Sequence, residues 1–266
     1  AAMALAGLRP YAAIYSTFLQ RAFDQIVHDV CIQKAEVVFC IDRAGLVGND
    51  GETHHGYFDI GYLSILPNMT VLTAATREDL EEMLEYSIEH RGGPLAIRYP
   101  RGNAVTDAES GLTNKANRFE PYLAVGELGF CVGRNRVAIV TSGKMAPIVK
   151  RMSEASFAGH LPVIVLRKLC PLDAPELTAL VSDVDLLITV DDHMEHGGIA
   201  DIVRRGLPSK RVRSIGYSDF VTHGDTEDLL RALRMDATGL AQRVREICEH
   251  DDKTDAHSIV GAGVTA

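Results

Sequence analysis

A group of ionisable side chains and glycines follows an apolar stretch, EVVFCID. Residues 43–56 read RAGLVGNDGETHHG and combine an arginine, two carboxylates and two adjacent histidines with several glycines. A histidine beside a carboxylate in a cleft can take up or release a proton near neutral pH. We therefore interpret Asp50 and one neighbouring histidine, His54 or His55, as candidate catalytic residues. The alternative is a solvent-facing loop histidine with no such role.

Two arginines could bind an anion at the same place. Arg43 follows the stretch EVVFCID, and Arg101 follows a second apolar stretch, PLAIRYP. If both stretches are strands of one parallel sheet, their carboxyl ends meet at one edge, which is where open α/β sheets bind ligands. Guanidinium groups match phosphate or carboxylate oxygens in bidentate geometry. The alternative is that each arginine pairs locally with Asp50 or Asp59.

An aromatic residue and a further arginine are spaced to share one face of the first predicted helix. Phe18 and Arg21 are three residues apart, which places them on the same side of a helical turn. Together they could stack on a flat heterocycle and hydrogen-bond to it. The alternative is a core phenylalanine beside a surface arginine.

A second polar cluster occupies Asp191–His196, which reads DDHMEH and precedes two glycines. It again follows an apolar run and opens a predicted helix. Helix N-termini attract anions, but so many ionisable groups suit a domain or subunit interface equally well. We predict a structural role for this cluster.

Short apolar runs alternate with amphipathic stretches along the chain, which is typical of an α/β protein. Thr17–Gln20 fits a capping box that would begin the first helix, and Thr76 would cap another helix that runs to about His90. Helices are also predicted at 145–158, after Gly198 and in the last third of the chain. The predicted strands are PYAAIYS, EVVFCID, MTVLTA, PLAIRYP, RVAIVTSG, PVIVLRK, DLLITVDD and RVRSIGY.

One polar, irregular stretch divides this alternation into two series. We predict a first domain at 1–110, a linker at 111–130, a second domain at 131–250 and a mobile tail at 251–266.

Composition excludes several functional classes. The 266 residues carry a net charge of −9, which argues against a nucleic-acid surface because phosphate backbones require clustered Lys and Arg. No apolar run approaches the roughly 20 residues that span a bilayer. The five cysteines are odd in number and scattered, which predicts free thiols in a reducing compartment.

Several stretches together resemble the transketolase-like, thiamine-diphosphate-dependent enzyme family. In the first domain these are IYSTFLQRAFDQIVHDV, IDRAGLVGNDGETHHGYFDIGYL and GPLAIRYPRGNAV. In the second they are LRKLCPLDAPEL, ITVDDHMEHGG and IGYSDFVTHGDTEDLLRALRMDATGL. The resemblance covers nearly the whole chain and implies two α/β domains. These would be a partial pyrimidine-binding domain with a parallel sheet, followed by a transketolase C-terminal-type domain.

Within this family the stretches are most similar to synthases that join pyruvate, with loss of CO2, to glyceraldehyde 3-phosphate. The product is a sugar phosphate that feeds isoprenoid synthesis. The resemblance implies a role for each candidate residue: cofactor-binding Phe18 and Arg21, substrate-binding Tyr15, Arg43 and Arg101, and catalytic Asp50 and His54.

Two elements of the family pattern do not occur in these 266 residues: the GIAEQHA-type stretch with the activating glutamate, and the GDG metal motif. The resemblance therefore implies that thiamine diphosphate and Mg²⁺ are held by a domain outside this sequence, and that the chain alone is inactive. It also implies a missing N-terminal domain or fragment as partner, a homodimer, and a bacterial cytoplasmic location, with the plastid stroma as the alternative.

Two other functional classes stay open. A β-type subunit of a 2-oxoacid dehydrogenase has the same domain order, but it would keep the activating glutamate and lack DRAGLVG followed by THHG. A non-catalytic dimerisation module is the other, although it would have no chemical reason to keep Arg43, Asp50, His54 and Arg101 together.

Overall fold

Strands and helices alternate along the chain as the pattern of apolar runs predicted. The computed structural model describes residues 1–113, 115 and 119–261, which form two successive α/β domains with mainly parallel sheets. The central strands are buried on both faces, which explains why their sequences read as continuous apolar runs. The predicted fold class is therefore confirmed.

The first sheet is built from the four strands predicted in the first domain. They are β1 Tyr11–Tyr15, β2 Val38–Asp42, β3 Thr70–Thr73 and β4 Leu95–Arg98. Their order is β1-β2-β4-β3, and each neighbouring pair is parallel. Tyr15 pairs with Asp42, and Ile41 pairs with Arg98. The segments that follow β1, β2 and β4 therefore leave the sheet at one edge.

The second half of the chain forms another sheet and extends the first. Its strands are β5 Tyr122–Val125, β6 Cys131–Val132, β7 Asn135–Ser142, β8 Val163–Leu166, β9 Lys168–Cys170, β10 Leu186–Met194 and β11 Arg211–Tyr217. The second sheet has the order β11-β10-β7-β8-β5, with β6 paired to β7. In contrast, β9 pairs antiparallel with β3 and becomes an edge strand of the first sheet. The two domains thus share a sheet.

The α-helices lie between these strands and at the end of the chain. They are α1 Ala2–Leu5, α2 Ser16–Leu19, α3 Phe23–Gln25, α4 Asp59–Leu63, α5 Arg77–Glu89, α6 Asp107–Ser110, α7 Met145–Ser156, α8 Ala174–Leu180, α9 Ile199–Gly206, α10 Thr226–Ala232 and α11 Ala237–Gly261. The predicted cap of α5 is confirmed, because Thr76 Oγ1 accepts a hydrogen bond from the Asp79 amide at 3.2 Å.

The helix after β1 differs from the prediction. It begins at Ser16 without a side-chain cap and changes from α2 to a 3₁₀ turn, then α3, then a π-helix at Ile26–Cys31. Thr17 does not act in the expected capping box, since its hydroxyl donates instead to the Thr53 carbonyl at 2.8 Å. A tertiary contact to a loop thus replaces the local cap.

Two predicted irregular segments contain regular structure. The proposed linker at 111–130 includes β5, which pairs with β8 of the second sheet. In the proposed tail at 251–266, α11 continues to Gly261, and residues 262–266 lie outside the described part. β5 escaped prediction because its run YLAV is short.

A buried ion pair lies where the first sheet meets the loop after β2. Arg98, the last residue of β4, donates from Nε and Nη2 to the Asp59 carboxylate at 2.5 and 3.0 Å. Both side chains are at most 5% exposed. Removing one partner of such a pair leaves an uncompensated charge in a medium that solvates it poorly.

We predict that Arg98→Met lowers the free energy of unfolding by roughly 3–5 kcal/mol, because Asp59 would remain buried and unpaired. Urea unfolding followed by circular dichroism measures this. Arg136→Met provides the control, since Arg136 pairs with Asp185 on the surface and should change the midpoint far less. Similar shifts for both variants would contradict this account of Arg98.

His55 connects the two domains. Its Nδ1 accepts a hydrogen bond from the Val47 amide at 3.2 Å, and its Nε2 lies 3.2 Å from the Thr222 carbonyl. The ring is 2% exposed. Because Nδ1 accepts, Nε2 carries the proton and donates to Thr222, so the neutral ring fits both partners. Burial, the largest effect, lowers the pKa of His55 below its usual 6.5 and outweighs the opposing influence of Thr222 and Asp192.

This lowered pKa predicts the direction of a pH effect. The unfolded chain takes up a proton on the imidazole near pH 6.5, whereas the folded chain does so only at lower pH. His55 therefore lowers the free energy of unfolding progressively as the pH falls below 6.5. We expect His55→Gln to reduce the loss of unfolding free energy in this acidic range, with His54→Gln as the comparison. An unchanged pH dependence in His55→Gln would contradict the assignment.

Candidate functional site

The loop after β2 is closed at its neck by two glycines. Gly45 and Gly56 exchange two backbone hydrogen bonds of 2.7 and 2.8 Å. A side chain is excluded at both positions: an added Cβ would lie 1.8 Å from Asp192 Oδ2 at Gly45, and 2.2 Å from the Arg43 carbonyl oxygen at Gly56. Gly45 also has a φ of +83°, a left-handed conformation that glycine adopts without strain.

The loop is consequently well packed despite its several glycines. Leu46 and Val47 are at most 1% exposed. The segment then makes two short 3₁₀ turns, Gly48–Asp50 and Glu52–His54. The polar residues of these turns lie at the carboxyl edge of the first sheet, next to the buried side chains of Leu46 and Val47.

Arg43 is the first residue of this loop and has an unusual backbone conformation. Its φ is +58°, which is uncommon for a residue with a side chain. The guanidinium carbon lies 3.8 Å from the ring centroid of Tyr15, a cation–π distance. The guanidinium also pairs with Asp42 through Nη1. The end of β1 and the end of β2 thus orient Arg43 together.

Arg43 and Arg101 converge on one carboxylate oxygen, although they come from different strands. Their Nε atoms lie 3.7 and 3.0 Å from Asp50 Oδ2. The Asp50 side chain is 28% exposed, and that of Arg101 is 41% exposed. The two arginines therefore meet at the edge of the sheet. They also pair with Asp50, which was the alternative to a shared anion site, so the two interpretations are compatible. Asp59, the other carboxylate considered, pairs with Arg98 instead.

The hydrogen-bonding capacity of this pair of arginines is not exhausted. Arg43 Nε is buried and has no hydrogen-bond partner among the described residues, since Asp50 is too far for a normal bond. Arg101 contacts Asp50 through Nε, and its Nη groups make no hydrogen bond within the described part of the chain. An anion with several oxygens could engage both guanidinium groups more fully than Asp50 does.

Aromatic rings pack against one another beside Arg43 and Asp50. The rings of Tyr15 and Phe18 stack at 5.2 Å with a 10° interplanar angle. Phe18 also meets His54 edge to face at 5.4 Å. Phe18 is 45% exposed, so the alternative of a core phenylalanine is wrong. Arg21 lies on the following 3₁₀ turn and is exposed.

The two adjacent histidines have separate environments: His54 ends the second 3₁₀ turn, and His55 follows it in an extended conformation. His54 is half-buried beside Phe18 and its Nδ1 lies 2.9 Å from Thr53 Oγ1. His55 points into the domain interface. Within the described residues His54 bonds to Thr53 rather than to Asp50, so the structure places both catalytic candidates on one loop without joining them directly.

The cluster Asp191–His196 lies under this loop. Asp192 accepts hydrogen bonds from the Leu46 amide at 3.1 Å and from the Tyr217 hydroxyl at 2.5 Å, and it pairs with Lys144 at 2.7 Å. Asp191 accepts from the Ile199 amide at the start of α9, and burial raises its pKa. These contacts agree with the predicted interface role.

Lys144 and Tyr217 are partners that sequence reasoning did not identify. Lys144 also donates to the Leu46 carbonyl at 3.0 Å. A lysine before a helix and a tyrosine at the end of a strand carry no local signal for such a role. Only the packing of the second domain against the first brings them to the loop.

A cleft of about 310 Å³ lies beside Arg101. Its lining includes Tyr99, Arg101, Lys144 and Arg151 beside several apolar side chains. Neither Arg43 nor Asp50 lines it, so this cleft is connected with the pair of arginines only through Arg101.

Two further observations concern metals and membranes. Across residues 1–113, 115 and 119–261, no group of three or more His, Cys, Asp or Glu side chains is arranged to hold a metal ion. None of the helices in that part is both long and apolar enough to cross a membrane.

Family models match both domains. The model for the transketolase pyrimidine-binding domain matches residues 1–106, and that for the transketolase C-terminal domain matches residues 130–240.

Three curated relatives of this chain share the same name. The chain is 38% identical over 260 residues to 1-deoxy-D-xylulose-5-phosphate synthase of Chlorobium luteolum, and 38% identical over 252 residues to that of Thermotoga maritima. The corresponding protein of Dehalococcoides mccartyi is 39% identical over 255 residues. In each case the match covers 92% of this chain and 39% of the relative. The chain thus spans about two fifths of their length and is homologous to their C-terminal part.

Solved structures of transketolases share the fold. A split-gene transketolase described as an inactive beta4 tetramer superposes with a TM-score of 0.76 at 20% identity, covering 93% of this chain and 79% of that one. Transketolase from Campylobacter jejuni superposes with a TM-score of 0.71 at 13% identity, covering 89% of this chain and 35% of that one. The two family models, which together match most of the chain, show that it belongs to the transketolase family, of which it carries the pyrimidine-binding domain followed by the C-terminal domain.

Proposed function

We propose that this chain supplies the substrate-phosphate site and part of the cofactor site of a thiamine-diphosphate-dependent synthase. The product would be the one that the curated relatives are named for, 1-deoxy-D-xylulose 5-phosphate. As the family resemblance implies, pyruvate would lose CO2 and join glyceraldehyde 3-phosphate to give it. The observation that carries the proposal is the convergence of Arg43 and Arg101 on Asp50.

The phosphate of the aldehyde would replace Asp50 between the two arginines. A phosphate offers more acceptor oxygens than one carboxylate oxygen, and charge-assisted bonds to guanidinium groups are among the stronger ones in proteins. The partnerless Nε of Arg43 would then gain an acceptor. Such binding energy, remote from the reacting carbon, helps to orient the aldehyde for attack.

Displaced from the arginines, Asp50 would be free to accept a hydrogen bond from a substrate hydroxyl. His54, which lies beside Phe18 at the same edge, would exchange a proton with the carbonyl or hydroxyl oxygen of the aldehyde. Tyr15 contributes by holding the guanidinium of Arg43 through its ring face.

The residues around Phe18 fit the aminopyrimidine of thiamine diphosphate. The ring of Phe18 is partly exposed beside Tyr15 and His54, which suits stacking against a flat heterocycle, and Arg21 is an exposed donor nearby. When bound, the cofactor supplies the electron sink for decarboxylation. This chain's own contribution is to hold the ring and to exclude water from it.

The reaction also needs groups that bind the diphosphate and its Mg²⁺, and we infer that these come from outside residues 1–266. They could belong to the same polypeptide or to a partner chain. The second arrangement is supported by the split-gene transketolase, whose solved chain this one covers to 79%. A second copy of the chain is the further partner we propose.

Arg101→Ala tests the proposal in the catalytically complete protein. Loss of a charge-assisted contact of roughly 1.5–3 kcal/mol predicts a KM for glyceraldehyde 3-phosphate that rises about 10- to 100-fold. The KM for pyruvate should change by no more than about twofold, because pyruvate has no phosphate and Arg101 would contact only glyceraldehyde 3-phosphate. Steady-state kinetics with each substrate varied in turn measures both values.

Arg151→Ala is the matched control, since Arg151 is an exposed arginine that lines the adjoining cleft without contacting Asp50. It should leave both KM values nearly unchanged. Equal increases for the two substrates in Arg101→Ala would argue against a phosphate contact, as would an increase in Arg151→Ala of the same size.

A further inference from the structure

The candidate substrate loop is held by the second domain at both of its ends. At the start of the loop, the Leu46 amide donates to Asp192 and the Leu46 carbonyl accepts from Lys144. At the end, His55 bonds to the Thr222 carbonyl, and the Tyr57 carbonyl accepts from the Met194 amide at 3.2 Å. The residues that carry the proposed chemistry lie between these attachments.

Asp192 is the most heavily engaged of these attachments. Its carboxylate is 9% exposed and serves three donors: the Leu46 amide, the Tyr217 hydroxyl and Lys144. Burial and the charge of Asp192 raise the pKa of Tyr217 well above its usual range, so the hydroxyl keeps its proton and donates. Lys144 supplies the compensating charge that a buried carboxylate requires.

The contact is also fitted sterically. No atom larger than hydrogen fits on the Cα of Gly45, because an added Cβ would overlap Asp192 Oδ2. Gly45 is two residues from Arg43, whose left-handed backbone directs its side chain to Tyr15 and Asp50. Such a backbone persists where surrounding contacts enforce it, and the hydrogen bond from the Leu46 amide to Asp192 is one such contact from the second domain.

We infer that Asp192 is a positioning residue for the anion site: through Leu46 and Gly45 it holds the loop in the conformation that brings Arg43 to Asp50 and Arg101. The part of this inference that concerns phosphate affinity rests on the proposed function. Asp192 itself touches neither arginine in the described contacts. The second domain would thereby contribute to substrate affinity without contacting the substrate.

The test combines two measurements on the whole protein: amide hydrogen exchange of the peptide that contains Leu46 and Val47, and the Kd for inorganic phosphate from calorimetry. For Asp192→Ala we expect loop exchange to accelerate on the order of tenfold, since a hydrogen bond protecting Leu46 is lost. The Kd for phosphate should rise severalfold. Tyr217→Phe should shift both quantities in the same direction by less.

Asp251→Asn is the control for a merely structural effect. Asp251 is also a buried carboxylate, but it pairs with Arg211 and Arg213 within the second domain. This variant should lower stability while leaving loop exchange and phosphate affinity unchanged. If Asp192→Ala does not fold, Gly45→Ala disturbs the same contact from the loop side and should have the same consequences.

The possible outcomes distinguish a failure of the inference about Asp192 from a failure of the proposed function. Unchanged loop exchange in Asp192→Ala and in Gly45→Ala would overturn the inference, as would faster exchange without any loss of phosphate affinity. If the wild-type protein binds no phosphate, it is the proposed function that fails, and loop exchange alone then decides whether Asp192 holds the loop.

Discussion

The guanidinium groups of Arg43 and Arg101 come from different strands and meet at one carboxylate oxygen of Asp50. The surrounding loops hold the two groups in this position. Like charges this close repel one another unless an anion lies between them. In this structure Asp50 is that anion. The substrate phosphate that we propose would take its place with more oxygens, which would make the site selective for a phosphorylated acceptor.

The support for this site is distributed over both domains. Gly45 and Gly56 close the neck of the loop, and Asp192 fixes it from below. The shared sheet formed by β9 against β3 adds a backbone connection between the domains. The buried Asp192 carboxylate and the buried His55 ring both contact the loop and both have hydrogen-bond partners, as burial in a poorly solvating medium demands. The second domain thus acts as part of the site's framework.

Much of the fold followed from the sequence because its signals are local. The runs EVVFCID and DLLITVDD are apolar on both faces and marked their strands, while Thr76 marked the start of α5. The convergence of Arg43 and Arg101 followed from the rule that parallel strands end at one edge. What escaped prediction depends on contacts distant in sequence: the antiparallel addition of β9, the hydrogen bond from Thr17 to Thr53, and the hydrogen bond from the Leu46 amide to Asp192. No periodicity encodes which donor a buried carboxylate will meet.

The claim that the paired arginines bind a phosphate is tested most directly by a crystal structure of the protein with inorganic phosphate bound. The account predicts a phosphate with oxygens within hydrogen-bonding distance of both Arg43 and Arg101, and an Asp50 carboxylate turned away from them. A bound phosphate located elsewhere, with both arginines still on Asp50, would contradict it.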